Sequence, residues 1–282
     1  MRILITGADG QLGTELRHLL DAHQLGYRAT DSHDLDITDK TAVQRYFKAF
    51  QPQIVYHCAA YTAVDAAETE PGKTTNQAVN ATGTANVAAA AEQVGATLVY
   101  ISTDYVFAGD QQAPYTTDAQ PAPQNEYGRA KYAGEQAVQR LASRYYIIRT
   151  SWVFGEYGHN FVYTMLKLAQ DHDQLTVVND QVGRPAWTRT LAEFMTFATD
   201  HQLPYGIYHL AATGTCSWYQ FARTILQDRP VAVKPVTSAE YPQKAWRPRH
   251  AVLDLSKTLA TGFKLPSWQE ALAAFMQEIG IS

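Results

Sequence analysis

The chain has 282 residues, of which 46% are hydrophobic and 18% are charged, and its formal net charge is −4. This composition is typical of a folded globular protein, and it argues against disorder and against wholesale binding to nucleic acid. Two cysteines, Cys58 and Cys216, make no disulfide framework, and no CxxC or Cys/His cluster indicates a metal site. The apolar run after Met1 is too short for a signal peptide, and no run predicts a membrane span. We therefore expect a cytoplasmic protein.

The first half alternates short β-branched runs with longer alanine-rich segments of helical period. The predicted strands are residues 2–6, 27–30, 54–57, 98–102 and 146–149. The predicted helices between them are residues 11–23, 41–50, 75–94 and 126–143. Strict alternation of strand and helix predicts an α/β fold with a doubly wound parallel sheet, covered by helices on both faces.

The second half has a looser pattern. It predicts helices at 188–200, 217–227 and 267–278 and a strand at 207–210. Ser217 and Ser267 are predicted N-caps, and Glu270 stands at the capping-box position after Ser267. No repeat or flexible linker separates the halves. We predict a dinucleotide-binding domain over 1–150 and a mainly substrate-binding region over 151–282, with some elements returning to the first domain.

A glycine turn follows the first strand and opens the first helix. Gly7, Gly10 and Gly13 are spaced for a tight turn, for close backbone approach to a pyrophosphate and for tight helix–strand packing. The spacing alone also occurs in ordinary turns, but its place before the first helix is the one that dinucleotide binding requires.

An acidic residue, Asp31, ends the second strand, where a carboxylate bonds the adenosine ribose and repels a 2′-phosphate. That position favours NADH, whereas nearby Arg28 and His33 would soften the preference. The alternative interpretation of Asp31 is a turn residue. Asp36 and Ile37 follow within reach of an adenine.

A tyrosine and a lysine, Tyr127 and Lys131, share one face of a predicted helix, and Thr103 ends the fourth strand. An ammonium beside a phenol is expected to lower the phenol's pKa toward neutrality. Tyr127 would then protonate the alkoxide formed by hydride transfer, while Thr103 positions the substrate carbonyl. Tyr/Lys pairs at this spacing also occur by chance on solvated faces.

With these motifs in register, the chain resembles the extended short-chain dehydrogenase/reductase family. The resemblance runs over nearly the whole chain and implies a Rossmann-type fold with a smaller C-terminal substrate-binding region. It is strongest to the branch that reduces the 4-keto group of dTDP-4-dehydro-L-rhamnose with NADH or NADPH, for bacterial polysaccharide synthesis. The segments that carry it are 60–65 (AYTAVD), 102–107 (STDYVF), 149–154 (RTSWVF) and 179–185 (NDQVGRP).

The resemblance assigns a role to each matching residue. It implies that Tyr127 is the proton donor, that Lys131 is its partner, and that Thr103 and Asp104 contact the sugar. It places Trp152 against the sugar, although a core aromatic is the alternative. The implied cofactor contacts, besides the turn glycines and the Tyr/Lys pair, are Gln11, Leu12, Asp31, Asp36, Ile37, Ala60, Tyr61 and Thr62.

The nucleotide diphosphate is expected to meet Asn160, Arg184 and Arg247, because amide and guanidinium groups suit phosphate oxygens. Arg249 is a weaker candidate, and surface salt bridges are the alternative for each arginine.

Two departures from related enzymes limit the assignment. Some relatives are described as metal-bridged dimers that use acidic residues. Glu15 is present, but Thr188 and Arg189 stand where an acidic partner is expected, so we predict no structural metal and a monomer or weak homodimer. Tyr105 stands where nucleotide-sugar dehydratases have a glutamate, which argues against dehydration.

Two rival functions stay open: a nucleotide-sugar epimerase, and a non-catalytic protein like the regulatory subunit of methionine adenosyltransferase.

Overall fold

Six parallel strands form the central sheet in this computed structural model, which describes residues 1–281. In sheet order they are β10 (Gly206–His209), β5 (Tyr145–Thr150), β4 (Thr97–Thr103), β3 (Ile54–His57), β1 (Ile3–Thr6) and β2 (Tyr27–Thr30). The chain reverses its winding direction between β1 and β3, which is the switch point of a doubly wound sheet. The predicted α/β fold is therefore confirmed.

Helices cover both faces of the sheet, because its central strands are apolar on both sides. The helices are α1 (Gln11–Ala22), α2 (Lys40–Phe50), α3 (Gly72–Asn76), α4 (Thr84–Val94), α5 (Glu126–Leu141), α6 (Phe161–Asp171), α7 (Thr188–Asp200), α8 (Trp218–Ile225), α9 (Ser256–Leu259) and α10 (Trp268–Glu278). One core joins the sheet to α1 and α7, and another joins it to α2, α4 and α5.

The remaining strands are short pairs beside the sheet's carboxyl edge. β6 (Val153–Phe154) runs parallel to β9 (Ala186–Trp187), and β7 (Gln174–Val178) runs parallel to β12 (Ala232–Val236). β8 (Val182–Gly183) runs antiparallel to β11 (Cys216–Ser217). They surround a separate aromatic core built on Phe154, Phe221 and Phe275.

The predicted N-caps are confirmed. The hydroxyls of Ser217 and Ser267 accept hydrogen bonds from the backbone N–H groups of Gln220 and Glu270, whose side chains accept bonds from the cap N–H groups in return.

The prediction of one continuous helix over 75–94 was wrong. α3 and α4 are joined by a π-helical segment, Gln77–Gly83, in which Asn80 is fully buried. The Asn80 amide exchanges two hydrogen bonds with the backbone of Tyr61 (3.1 and 2.8 Å). Such widened turns are frequent at functional sites. The helices α6 and α9 and the strands β6, β7, β8, β9, β11 and β12 were not predicted from the sequence.

Among residues 1–281, no helix is long and apolar enough to cross a membrane.

Both α7 and β10 come from the second half of the chain. β10 is the edge strand of the main sheet, and α7 packs on one face of that sheet beside α1. The division of the chain near residue 150 stays a proposal.

Candidate functional site

The glycine turn lies between the end of β1 and the start of α1. Gly7 has φ = +67°, and a side chain there would collide with the backbone of Ala59 after β3. Gly13 packs in the same way against Gly7 and Ala8, whereas Gly10 is the N-cap of α1 and faces open space on most sides. The turn therefore leaves the amide end of α1 accessible to a phosphate.

A cleft of about 310 Å³ opens beside this turn at the switch point of the sheet. Its lining residues are Gly7, Asp9, Gly10, Asp31, Ser32, Leu35, Asp36, Ile37, Cys58, Ala59, Ala60, Tyr61 and Val79. Seven predicted cofactor residues are thus brought to one cleft, which suits the adenosine half of a dinucleotide. Asp9 was missed, although it lies within the glycine turn.

Six other predicted cofactor residues do not line this cleft, among them Tyr127 and Lys131, which are described below. Leu12 packs on the core under α1, Gly13 supports the turn, and Thr62 is exposed. The Gln11 side chain accepts a hydrogen bond from the Asn160 amide (3.0 Å), so it joins the start of α1 to the loop before α6.

The loop after β3 is held by two buried asparagines that the sequence analysis did not single out. Asn80 binds the backbone of Tyr61 and donates to the Asn76 side chain (2.8 Å), and Asn76 donates to the carbonyl of Glu126 (2.8 Å). The cleft wall is therefore tied to the start of α5, which carries Tyr127. Their spacing of four residues within an alanine-rich segment was the available signal.

Thr103 and the side chain of Lys131 both lie at the carboxyl end of β4. The Lys131 ammonium is buried, donates to the carbonyl of Ile101 (2.7 Å) and lies 4.3 Å from the Tyr100 ring. The Thr103 hydroxyl donates to the Asp104 carboxyl group (3.1 Å) and accepts from the Tyr105 N–H (3.2 Å). Both side chains are thus held in place from within the chain.

Tyr127 is the second residue of α5 and faces the same edge. Asn125 caps the helix by accepting from the Gly128 N–H (2.7 Å), and Gly128 lets the helix contact the backbone of Tyr105 closely. The rings of Tyr105 and Tyr127 meet edge to face, with centroids 5.7 Å apart. The predicted Thr103, Tyr127 and Lys131 therefore lie around one site.

The expectation that Lys131 lowers the pKa of Tyr127 is wrong for this structure. Burial raises the pKa of Tyr127 well above its usual 10, and the negative charge of Asp104 raises it further, against a hydrogen bond with Thr103. Burial also lowers the pKa of Lys131 to about 7, although Glu135 opposes that shift. The phenol of Tyr127 is consequently protonated at neutral pH, whereas the side chain of Lys131 is only partly protonated.

Three buried polar atoms at this edge have no hydrogen-bond partner within the described chain. They are the hydroxyls of Ser102 and Thr150 and the second carboxyl oxygen of Asp104. Burial raises the pKa of Asp104 to about 7. Buried polar groups in proteins are nearly always paired, so this set indicates a place for polar groups of a ligand.

Trp152 follows β5 in a left-handed conformation, with φ = +47°. Such a conformation is costly for a bulky residue and is concentrated at functional sites. One face of its ring stacks on Trp218, with centroids 3.7 Å apart, and Gly183 lies against the ring. Trp152 is half-buried, so the structure is compatible with both a packing and a ligand-contact role.

The candidate diphosphate residues have different partners in the structure. The Asn160 side chain caps α6 and also bonds Gln11 and Gly155. The Arg184 guanidinium donates to the carbonyl of Gly214 (2.7 Å), and its buried Nε has no partner. Ser151 donates to the Arg184 carbonyl (2.6 Å), which places Arg184 beside the end of β5.

The two remaining arginines follow β12. Arg247 pairs with Asp65 (2.7 Å), lies 5.8 Å from the Tyr105 ring and keeps its buried Nη1 without a partner. Arg249 is exposed. Of the three candidate arginines, Arg247 is the one that lies over the Tyr105 ring, and that ring contacts Tyr127.

Glu15 is almost fully buried and bonds within its own chain. It accepts from the Thr188 hydroxyl (2.9 Å) and pairs with Arg189 (2.6 Å), which also pairs with Glu278 (2.9 Å). No group of three or more His, Cys, Asp or Glu side chains within residues 1–281 is placed to hold a metal. The prediction that there is no structural metal stays a prediction.

The chain is similar to known proteins over nearly its whole length. The family model described as RmlD substrate binding domain matches residues 1–281. The chain is 42% identical to a dTDP-4-dehydrorhamnose reductase of Streptomyces griseus, over 96% of this chain and 91% of the relative. It is 41% identical to the spore coat polysaccharide biosynthesis protein SpsK of Bacillus subtilis, over 98% and 97% of the two chains.

Among solved structures, the chain is similar to dTDP-4-dehydrorhamnose reductase from Bacillus anthracis in complex with NADP. The TM-score is 0.94 and the identity is 43%, and the match covers 98% of this chain and 99% of that chain.

Proposed function

This chain belongs to the RmlD substrate-binding-domain family, and we propose on that premise that it is a dTDP-4-dehydrorhamnose reductase. It reduces the 4-keto group of dTDP-4-dehydro-L-rhamnose to give dTDP-L-rhamnose, with NADH or NADPH as the second substrate, and the product serves bacterial polysaccharide synthesis. The observation that carries the proposal is that Thr103, Tyr127 and Lys131 lie around the carboxyl end of β4, where Tyr127 hydrogen-bonds Thr103 and Lys131 bonds the carbonyl of Ile101.

The residues present suit a nicotinamide cofactor. The glycine turn offers the amide end of α1, and Asp31 stands at the end of β2. The positive charge of Lys131 lowers the pKa of the Cys58 thiol, against a larger rise caused by burial. Lys131 is therefore near Cys58, which lines the cleft. The cofactor supplies a hydride when bound.

Tyr127 acts as the proton donor in this proposal. A reductase must deliver a proton to the oxygen of the reduced carbonyl, so a phenol that stays protonated at neutral pH is in the required state. The ordinary pKa of a phenol, near 10, already ensures that state, and the raised pKa of Tyr127 in the ligand-free chain makes the phenol a weaker acid. Lys131 sits one turn further along α5 and holds positive charge beside the cleft.

Thr103 and Asp104 position the sugar. The Thr103 hydroxyl is held by Asp104 and the Tyr105 N–H, and the unpartnered oxygen of Asp104 is available to a sugar hydroxyl. Arg184 and Arg247 supply the cationic groups for the diphosphate. A cytoplasmic location and a monomeric or weakly dimeric state stay predictions.

The test is to mix the protein with dTDP-4-dehydro-L-rhamnose and to follow nicotinamide absorbance with NADH and with NADPH. Tyr127→Phe removes the proton donor without changing the packing of the ring. We expect kcat to fall by about 100-fold or more while the Kd for the cofactor changes little.

Tyr132→Phe is the matched control, because it removes a phenol hydroxyl from the same helix away from Thr103. We expect its activity to stay near that of the wild type. Normal turnover by Tyr127→Phe would contradict the assigned donor. An epimerised product with tightly bound NAD would favour an epimerase, and cofactor binding without any turnover would favour a non-catalytic protein.

A further inference from the structure

A buried ion pair joins α5 to β5. Two nitrogens of the Arg149 guanidinium donate to the two carboxyl oxygens of Glu135 (2.8 and 2.7 Å), and the two side chains are 2% and 1% exposed. Taking both charges out of water costs free energy, and an uncharged pair of similar volume often stabilises a fold equally well. Stability alone is therefore a weak reason for a charged pair at this position.

The strand side of the pair is fixed by the surroundings of Arg149. The guanidinium also donates to the carbonyl of Thr117 (3.3 Å) and lies 4.9 Å from the centre of the Phe107 ring. In the sheet, Arg149 stands in register with Ser102 of β4, one residue before Thr103. Arg149 thus gives Glu135 a fixed position near the carboxyl end of β4.

The helix side of the pair leads directly to Lys131. Glu135 follows Lys131 by one turn, so the two side chains share one face of α5. The Tyr100 hydroxyl donates to the carbonyl of Lys131 (3.3 Å), and a side chain at Gly134 would collide with that hydroxyl and with the backbone of Asn80. This turn of α5 is consequently packed against β4 at one end and bonded to Arg149 at the other.

Several titratable groups close to Lys131 are uncharged at neutral pH. Burial raises the pKa of the Cys58 thiol to about 12 and lowers the pKa of His57 to about 3. The phenols of Tyr100 and Tyr127 keep their protons, because burial raises the pKa of each. These groups therefore do not supply a countercharge for the ammonium.

Glu135 does supply one. Burial favours the neutral amine and lowers the pKa of Lys131, and the negative charge of Glu135 opposes that change. Arg149 brings a positive charge from β5, but Glu135 shares the helix face with Lys131 and acts on it more strongly.

We infer that the Glu135–Arg149 pair positions Lys131: it fixes the turn of α5 that carries Lys131 and places a negative charge beside the ammonium. This inference rests on the proposed function, in which Lys131 holds positive charge beside the cleft. Without the Glu135 carboxylate, the pKa of Lys131 should fall further, and a smaller fraction of the protein would carry the ammonium at neutral and higher pH.

The first test reads the protonation of Lys131 without turnover. Lysine labelled with carbon-13 at Cε is followed by NMR as the pH changes, and Lys131→Met identifies the signal. Glu135→Gln should lower the titration midpoint by about one pH unit, which is about a ten-fold rise in the acid dissociation constant. The double variant Glu135→Gln/Arg149→Met leaves no member of the pair charged, and it should shift the midpoint in the same direction by about half as much.

The second test is the pH profile of kcat/KM for the nucleotide sugar, which reports groups of the free enzyme. Because the charged form of Lys131 is the active one, kcat/KM should fall as the pH rises through its midpoint. In Glu135→Gln this fall should begin at a pH lower by about one unit.

Glu15→Gln is the matched control, because Glu15 is an equally buried carboxylate that pairs with an arginine on another helix. Its Lys131 midpoint and its pH profile should stay within about 0.3 pH unit of the wild-type values. Circular dichroism verifies that each variant is folded.

An unmoved Lys131 midpoint in folded Glu135→Gln or in the double variant would overturn the inference. An equal shift in Glu15→Gln, or a moved midpoint with an unmoved pH profile of kcat/KM, would overturn it as well. A wild-type protein without turnover, in which Glu135→Gln still moves the Lys131 midpoint, would instead overturn the proposed function alone.

Discussion

Asp104 is a buried acid, and one of its two carboxyl oxygens has no partner within the described chain. Burial raises its pKa from 3.8 to about 7 in the folded protein. The folded state therefore holds this proton more tightly than the unfolded chain does. The contribution of Asp104 to the free energy of unfolding therefore falls as the pH rises between those two values, because the unfolded chain releases the proton first.

Asp104→Asn tests this linkage. From about pH 4 to pH 8, the wild-type protein should lose about 4 kcal/mol of unfolding free energy relative to Asp104→Asn. The measurement is urea denaturation at several pH values. The exposed Asp118 provides the control, since its pKa is lowered by the Thr116 hydroxyl and Asp118→Asn should not reproduce the effect. If the unfolding free energies of the wild type and Asp104→Asn changed with pH in parallel, the raised pKa of this buried acid would be contradicted.

Among the elements of the fold, the segment after β12 connects the second half to the candidate site. Asp65, in the loop after β3, accepts from the Ala245 N–H (2.9 Å) and pairs with Arg247 (2.7 Å). Asn125, at the start of α5, donates to the carbonyl of Trp246 (2.9 Å). The segment is therefore held against both the cleft loop and the helix that carries Tyr127, and Asp65 orients the proposed diphosphate-binding guanidinium.

Asp65→Asn should release Arg247 while keeping an acceptor for the Ala245 N–H. We expect the KM for the nucleotide sugar to rise by about three- to ten-fold with kcat little changed, because Arg247 binds ground state and transition state alike. Steady-state kinetics at saturating cofactor measure both constants.

Asp180→Asn is the control, since Asp180 accepts from Ser238 (2.8 and 2.7 Å) at the other end of the same segment. Its KM should stay close to the wild-type value. Equal effects of the two variants, or a change in kcat alone, would show that Asp65 does not act through Arg247.

At the scale of the whole molecule, the two halves share their cores. Leu191 and Phe194 of α7 pack with Leu16 and Leu20 of α1, and β10 pairs with β5. The ion pair of Glu15 with Arg189 lies at this junction, with Glu15 buried and Arg189 about one-third exposed. We expect the halves to unfold together, since neither completes its core alone.

Glu15→Gln breaks the buried side of this junction and should lower the free energy of unfolding by about 2–3 kcal/mol. Glu278→Gln removes only the exposed partner of Arg189 and should cost about 0.5 kcal/mol. Urea denaturation followed by tryptophan fluorescence and by circular dichroism measures both values. All five tryptophans lie in the second half, so coincident transitions would show joint unfolding. Separate transitions, or equal losses in the two variants, would contradict this account.

Local sequence patterns were sufficient to predict those helices and strands whose signals lie within the element itself. Residues 27–30, 54–57 and 188–200 form the predicted elements with the predicted bounds, because apolar periodicity and turn residues act over a few positions. The glycine turn and the Tyr127/Lys131 spacing likewise depend on neighbours in the chain, so the family resemblance and the cofactor class followed from the sequence.

Only the tertiary structure decided the surroundings of these residues. The partner of Arg247 lies 182 positions away, and that of Gln11 lies 149 positions away. The raised pKa of Tyr127, the engagement of Arg28 with Phe50 and the π-helical segment around Asn80 arise in the same way. Burial and long-range pairing are set by how the elements pack together, and one local stretch of sequence does not encode them.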